Sequence, residues 1–272
     1  MGTEKDIFGK AVHYSMGNEE QTPEQMSKDG LEGYIIGTTP TQGKLSGGID
    51  VSSRSGIPYR YFSPFSFSPD FKIPVPGREE IYSNSVESIW QGLKIIDGET
   101  NFSLFNKKPK KRKGNVEGHL FGEKIFGIVE AREMIYKPAY LFYLDNCIKG
   151  SIKEDILLKS LTEDLAFYDF EDNLDIKDVS SPLAHSAILA EFFKKYRSKR
   201  LTHEREKIDR DYHMNELEHE TLAEPLNRSI TRLKKSSEIE NALTIYVLNK
   251  EYSELDKFHK RFYSKLLEKI TK

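Results

Sequence analysis

A single cysteine, a single tryptophan and no glycine beyond Gly150 set the first bounds on this 272-residue chain. With Cys147 alone, no internal disulfide can form. No His or Asn constellation is spaced around that cysteine, so it reads as a small buried or half-buried thiol. No run approaches the roughly 18 apolar residues a membrane span needs, and no membrane partner is expected. No signal-peptide pattern precedes Thr3-Glu4-Lys5-Asp6, and a cytoplasmic protein is expected. Charge excess is absent too: the net charge of −2 selects no class of partner. Walker-type loops, G-x-G-x-x-G and G-x-S-x-G are missing, which argues against the common nucleotide hydrolases, Rossmann enzymes and α/β-hydrolases. His203, His213 and His219, with Glu216 and Glu220, lack the i, i+4 histidine spacing of a helical zinc motif. No metal or cofactor is expected.

What remains is a composition of 37% hydrophobic and 31% charged residues, ordinary for a soluble protein large enough to bury a substantial core. The lack of glycine after Gly150 predicts that helices dominate the second half. Residues 1–48 are rich in Gly, Thr, Gln and Ser and read as an irregular N-terminal arm, with a strand at most near Tyr34-Ile35-Ile36. Residues 49–197 read as a core domain and 198–272 as a helical extension. Within the core, Ile57–Val75 alternates Tyr, Phe, Ser and Pro, which suits short strands and turns. A loop is expected from Asp97 to Gly122, then a helix from near Ile125 to about Cys147 that Pro138 should kink or break. A strand should end near Phe170. Ser181-Pro182 has the form of an N-cap and N1 pair opening the next helix, with His185 in its first turn. Charge-dense Arg197–Asp211 predicts a solvated helix or linker, and Leu255, Phe258, Phe262, Leu266 and Ile270 make the apolar stripe of a last helix.

The segment richest in information is Ser85-Val-Glu-Ser-Ile-Trp-Gln-Gly-Leu-Lys-Ile-Ile96. As a helix it places Glu87, Gln91 and Lys94, at i, i+4 and i+7, on one face. Val86, Ile89, Trp90 and Leu93 form its core stripe, and Ser88, Gly92 and Ile95 suit close packing on the remaining side. A carboxylate, an amide and an ammonium inside such a helix need partners, which points to a polar cavity. The same spacing also fits the wet face of an ordinary amphipathic helix.

Phe62-Ser63-Pro64-Phe65, the Pro-Val-Pro-Gly turn at 74–77 and this helix follow the order of the NADAR superfamily, which the chain resembles. Members of that superfamily carry an FSNF-like strand end and a helix reading S-E-x-x-x-Q-x-x-K, in register with Glu87, Gln91 and Lys94. The chain is still more similar to an uncharacterised bacterial and phage family with SVEGIWQGLK, R-x-x-I-Y-x-P-A-Y and PLSHA segments, matched at Ser85–Lys94, Arg132–Tyr140 and Pro182–Ala187. The resemblance spans roughly Tyr61–Tyr196. The Gly-Arg segment usual after the superfamily helix has no clear counterpart.

The resemblance implies an α+β, mainly helical protein with a NADAR-like core and a C-terminal helical extension. It implies an N-glycosidase acting on an ADP-ribose-like or nucleotide-derived substrate, with Glu87, Gln91 and Lys94 as catalytic candidates. Glu87 would stabilise the oxocarbenium-like sugar and orient water, Gln91 would fix a hydroxyl or that water, and Lys94 would hold a phosphate oxygen or pair with Glu87. Phe62, Phe65, Trp90, Arg132, Tyr136, Asp172 and His185 are the substrate-binding candidates. Trp90 suits base stacking or core packing, Arg132 phosphate recognition or a surface salt bridge, and His185 a ligand contact, proton transfer or a local hydrogen bond. Asp169 and Glu171 compete with Asp172 for the acidic position. The competing reading is a non-catalytic binding protein, such as a phage or bacterial conflict factor holding a nucleotide signal. Lys107–Lys113, with six positive charges in seven residues, can attract a nucleic acid or nucleotide phosphates, or be a plain flexible loop. The C-terminal helices can serve a homo-oligomer.

Overall fold

The computed structural model describes residues 34–39, 48–213, 223–251, 262 and 264–268. They form a mixed α+β fold in two compact units. Ile36–Lys153 with Leu165–Phe192 belong to the first unit; Glu154–Asp164 and the chain from Phe193 belong to the second. Most of the 1–48 arm lies outside the described residues. No described helix is long and apolar enough to cross a membrane.

The first unit holds three small sheets. Strands β1 (Ile36–Thr38) and β2 (Ile49–Asp50) flank β8 (Leu165–Tyr168), both parallel to it. Strands β3 (Ile73–Pro74) and β4 (Tyr82–Ser83) pair antiparallel. Strands β5 (Lys94–Ile96), β6 (Val116–Phe121) and β7 (Lys124–Phe126) form an antiparallel meander. The loop expected over Asp97–Gly122 therefore contains a strand, and it aligns His119 opposite Lys94.

Helix α1 (Val86–Leu93) opens where the Ser85 side chain accepts from the Ser88 backbone N–H at 3.1 Å. It ends at Leu93 rather than Ile96, because Lys94–Ile96 turns into β5 and pairs with β6. Helices α2 (Ile128–Ala131) and α3 (Lys137–Asn146) are joined by a π-helical turn, Arg132–Tyr136. That turn absorbs Pro138: the ring nitrogen cannot donate into the ladder, and the widened turn before it lets the helix continue where a break is expected. From α3, the Tyr140 and Tyr143 hydroxyls donate to the carbonyls of Phe62 and Tyr61, both at 2.5 Å, fixing the aromatic-rich segment. Phe62, Ile89, Leu93, Ile135, Tyr140 and Phe167 are buried in this unit's core.

Helix α4 spans Gly150–Ser160 and α5 spans His185–His213. The Ser181-Pro182 signal does not start α5. The Ser181 carbonyl instead accepts from Arg132 and Asn173, and the Ala184 N–H donates to the Asn173 carbonyl, so the chain stays non-helical until His185.

In the second unit, α6 (Ala223–Lys234) and α7 (Glu238–Glu251) pack around Leu157, Leu201, Ile208, Leu233 and Leu243. The Arg197–Asp211 stretch is thus not merely solvated: Arg197, Leu201, Glu204 and Ile208 form a buried stripe at helical spacing. Arg197 donates to the Ser160 and Tyr34 carbonyls at 2.8 and 2.7 Å. Glu204 accepts from Arg232 at 3.0 Å and from Thr244 at 2.6 Å. Of the last apolar stripe, Phe262 and Leu266 are buried; Leu255, Phe258 and Ile270 lie outside the described residues.

Candidate functional site

A cavity of about 790 Å³ opens in the first unit, walled on one side by the polar face of α1. Glu87 and Gln91 are buried, Lys94 is half-buried, and all three line it. The Glu87 N–H donates to the Pro64 carbonyl at 3.0 Å, tying the helix to the Phe62–Phe65 segment. The Gln91 amide donates to the Glu87 carboxylate at 2.7 Å, and its oxygen accepts from the Arg112 N–H at 2.9 Å. Gln91 is therefore a positioning residue for Glu87, with its carbonyl oxygen already engaged.

Burial raises the Glu87 carboxyl above its ordinary 4.5, against the opposing effects of the Gln91 hydrogen bond and the Lys94, Lys111 and His185 charges. Burial likewise lowers the Lys94 ammonium below 10.5, although the Glu87 charge opposes it. A carboxyl drawn upward beside an ammonium drawn downward can exchange a proton closer to neutrality than either group in water.

The basic segment is anchored to α1 rather than loose. Ser88 donates to the Lys107 carbonyl at 3.0 Å, and the Arg112 guanidinium donates to the carbonyls of Gln91, Lys94 and Glu99. Arg112 thereby covers the carbonyls that the end of α1 leaves without helical partners. Lys111 lines the cavity near Phe65 and, like Lys107, Lys108, Lys110 and Lys113, is exposed.

Across the cavity, His185 and Asp169 form a closed pair. The His185 Nδ1 lies 2.7 Å from the Asp169 carboxylate and its Nε2 lies 2.9 Å from the Val51 carbonyl. Both partners are acceptors, so both ring nitrogens carry protons and the ring is an imidazolium. Burial alone would lower it, but Asp169 and the Val51 carbonyl raise it above 6.5. Burial alone would raise Asp169, but the His185 charge and the Glu171 and Ser186 N–H groups hold it below 3.8. With both nitrogens committed, His185 is a fixed charge on the wall rather than a proton carrier.

The other expected contacts divide. Phe65, Trp90 and Tyr136 line the cavity, and the Trp90 and Tyr136 rings meet edge-on at 5.4 Å. Arg132 also lines it, but its guanidinium donates to the carbonyls of Ile176, Asp178 and Ser181, so it shapes the 176–181 wall instead of standing free for phosphate. Phe62 is fully buried in the core outside the cavity lining, and Asp172 is exposed away from it. Asp169 and Glu171 are the acidic residues of that loop that reach the cavity.

His119 and Arg54 are among the lining residues that sequence reasoning missed, and of the two His119 is buried. Its signal becomes visible only once β5 and β6 are paired, which sets it opposite Lys94. No described group of three or more His, Cys, Asp or Glu residues is arranged to hold a metal.

Residues 44–189, more than half of the chain, match a family described as Family of unknown function (DUF6939). The chain belongs to the DUF6939 family. No curated protein and no solved structure matches it. Every residue lining the cavity, from Ser53 to His185, falls inside the DUF6939 span.

Proposed function

We propose that this DUF6939 protein hydrolyses the N-glycosidic bond of an ADP-ribose-like or nucleotide-derived molecule through a NADAR-like core. The observation that carries the reading is Glu87: a buried carboxyl of raised proton affinity, held by Gln91 and facing Lys94 in a cavity large enough for a nucleotide. In the reaction, the C1′–N bond breaks with its electron pair leaving on the base nitrogen. The Glu87 carboxylate stabilises the oxocarbenium-like sugar and takes a proton from the attacking water, whose oxygen forms the new C1′–O bond. That proton ends on the departing base. Lys94 and Lys111 favour an anionic substrate, and the exposed lysines next to Lys111 in the chain can take further phosphates.

Mass spectrometry of the protein incubated with NAD, ADP-ribose, ADP-ribosylated nucleosides and DNA, and ribosylaminopyrimidine phosphates tests the reading. The expected result is a free base together with the matching hydrolysed sugar. An unchanged panel with a nucleotide retained on the protein would instead assign the cavity to a binding protein.

A further inference from the structure

Among the described residues, one cavity-lining side chain has fully buried hydrogen-bonding atoms that the protein leaves unmatched. His119 is 1% exposed, and neither its Nδ1 nor its Nε2 has a hydrogen-bond partner in the protein. Burying an unpaired polar group is destabilising, so a histidine kept for packing alone would ordinarily be paired or replaced by an aromatic hydrocarbon. The site suits such a replacement, since the His119 ring already packs as an aromatic: its centroid lies 3.9 Å from that of Trp90, with 32° between the planes.

Resting on the glycosidase reading, we infer that His119 recognises the sugar, its imidazole giving one hydrogen bond to a ligand hydroxyl group and taking another. The chemistry of the ring narrows the choice. Burial, aided by the Lys94 charge, lowers His119 to about 3, so at neutral pH it offers one N–H and one lone pair. Hydroxyl groups both donate and accept, matching that pair; a phosphate only accepts, and Lys94 across the strand pair already serves it better. Because both nitrogens are shielded, a ligand reaches them by shifting the half-exposed Trp90 ring. Trp90 is the chain's sole tryptophan, so its fluorescence reports that movement directly.

The test titrates ADP-ribose and ribose 5-phosphate into the parent, His119→Phe and His119→Gln, following heat and Trp90 emission, with a melting curve for each protein. The Phe variant keeps the stack and removes the unpaired nitrogens. Its expected behaviour is an affinity loss of about tenfold or more with a Tm rise of about 2–4 °C. The Gln variant, which keeps a donor and an acceptor, should recover part of the affinity. Full affinity in the Phe variant, a lowered Tm in it, or a parent that binds neither probe would overturn the inference. Cleavage is read separately, in the mass-spectrometric panel, so the two ideas fail separately: a parent that binds here but cleaves nothing there, and loses binding in the Phe variant, removes hydrolysis and leaves the His119 assignment standing.

Discussion

Glu87 and Lys94 are pushed in opposite directions by the same burial, and the sign of each shift predicts the pH dependence of activity. The acting form of Glu87 is the carboxylate, lost on acidification; with its proton affinity raised, activity should fall as pH drops through a value above 4.5. The acting form of Lys94 is the ammonium, lost on alkalinisation; its lowered value moves that limb below 10.5. A pH profile of kcat/KM for whichever substrate the panel identifies should therefore be bell-shaped, with both limbs drawn inward. An acid limb at or below 4.5 would contradict it. The i, i+4, i+7 spacing made Glu87, Gln91 and Lys94 readable together, because helical geometry is local. His119 was not readable, since its neighbour across the sheet comes from β5, 25 positions earlier in register. Asp169 was indistinguishable from Asp172 in sequence: the turn after β8, fixed by the Asp169 hydrogen bonds to Glu171 and Ser186, decides which carboxylate faces inward.

The packing of α1 depends on Gly92 as much as on its polar face. A Cβ built there would lie 2.4 Å from the Phe105 ring and 3.2 Å from the Asn101 carbonyl oxygen. Gly92→Ala gains about 1 kcal/mol of helix propensity but forces Phe105 to move, and such overpacking costs about 1–3 kcal/mol. Thermal unfolding should show a net loss of stability; an unchanged or raised Tm would mean that Phe105 yields freely. Element boundaries were the least readable part of the fold. Ile95-Ile96 continues the apolar content of α1 with no stop signal, and only pairing with β6 ends the helix at Leu93. Ser181-Pro182 has good capping chemistry, but the Ser181 carbonyl is claimed by the buried Arg132 from another helix. Tertiary hydrogen bonds override local propensity at both places.

The two compact units carry different chemistry. The cavity and the DUF6939 span lie before residue 190, and the second unit is built around an apolar core that also holds a buried carboxylate with its ionic partners. Glu204 is that carboxylate, reached by Arg232, Thr244 and, at 3.4 Å, Lys207. Glu204→Ala should destabilise that unit by about 2–4 kcal/mol by removing the buried carboxylate that accepts from Arg232 and Thr244, seen as faster amide exchange in α6 and α7. Unchanged exchange would show that solvent already screens the cluster. That helices dominate the described residues of the second half followed from its lack of glycine. The inward turn of Arg197 and Glu204 did not follow, because charge density alone reads as a solvated surface until the partner carbonyls of Ser160 and Tyr34 are known.

The most direct test is Glu87→Gln beside the parent, measuring release of free base and ADP-ribose affinity on the same preparations. The near-isosteric amide keeps the shape of the site and removes the charge and the basic oxygen. The account predicts a fall in turnover of about 10²-fold or more with ligand binding retained; turnover at the parental rate would contradict it.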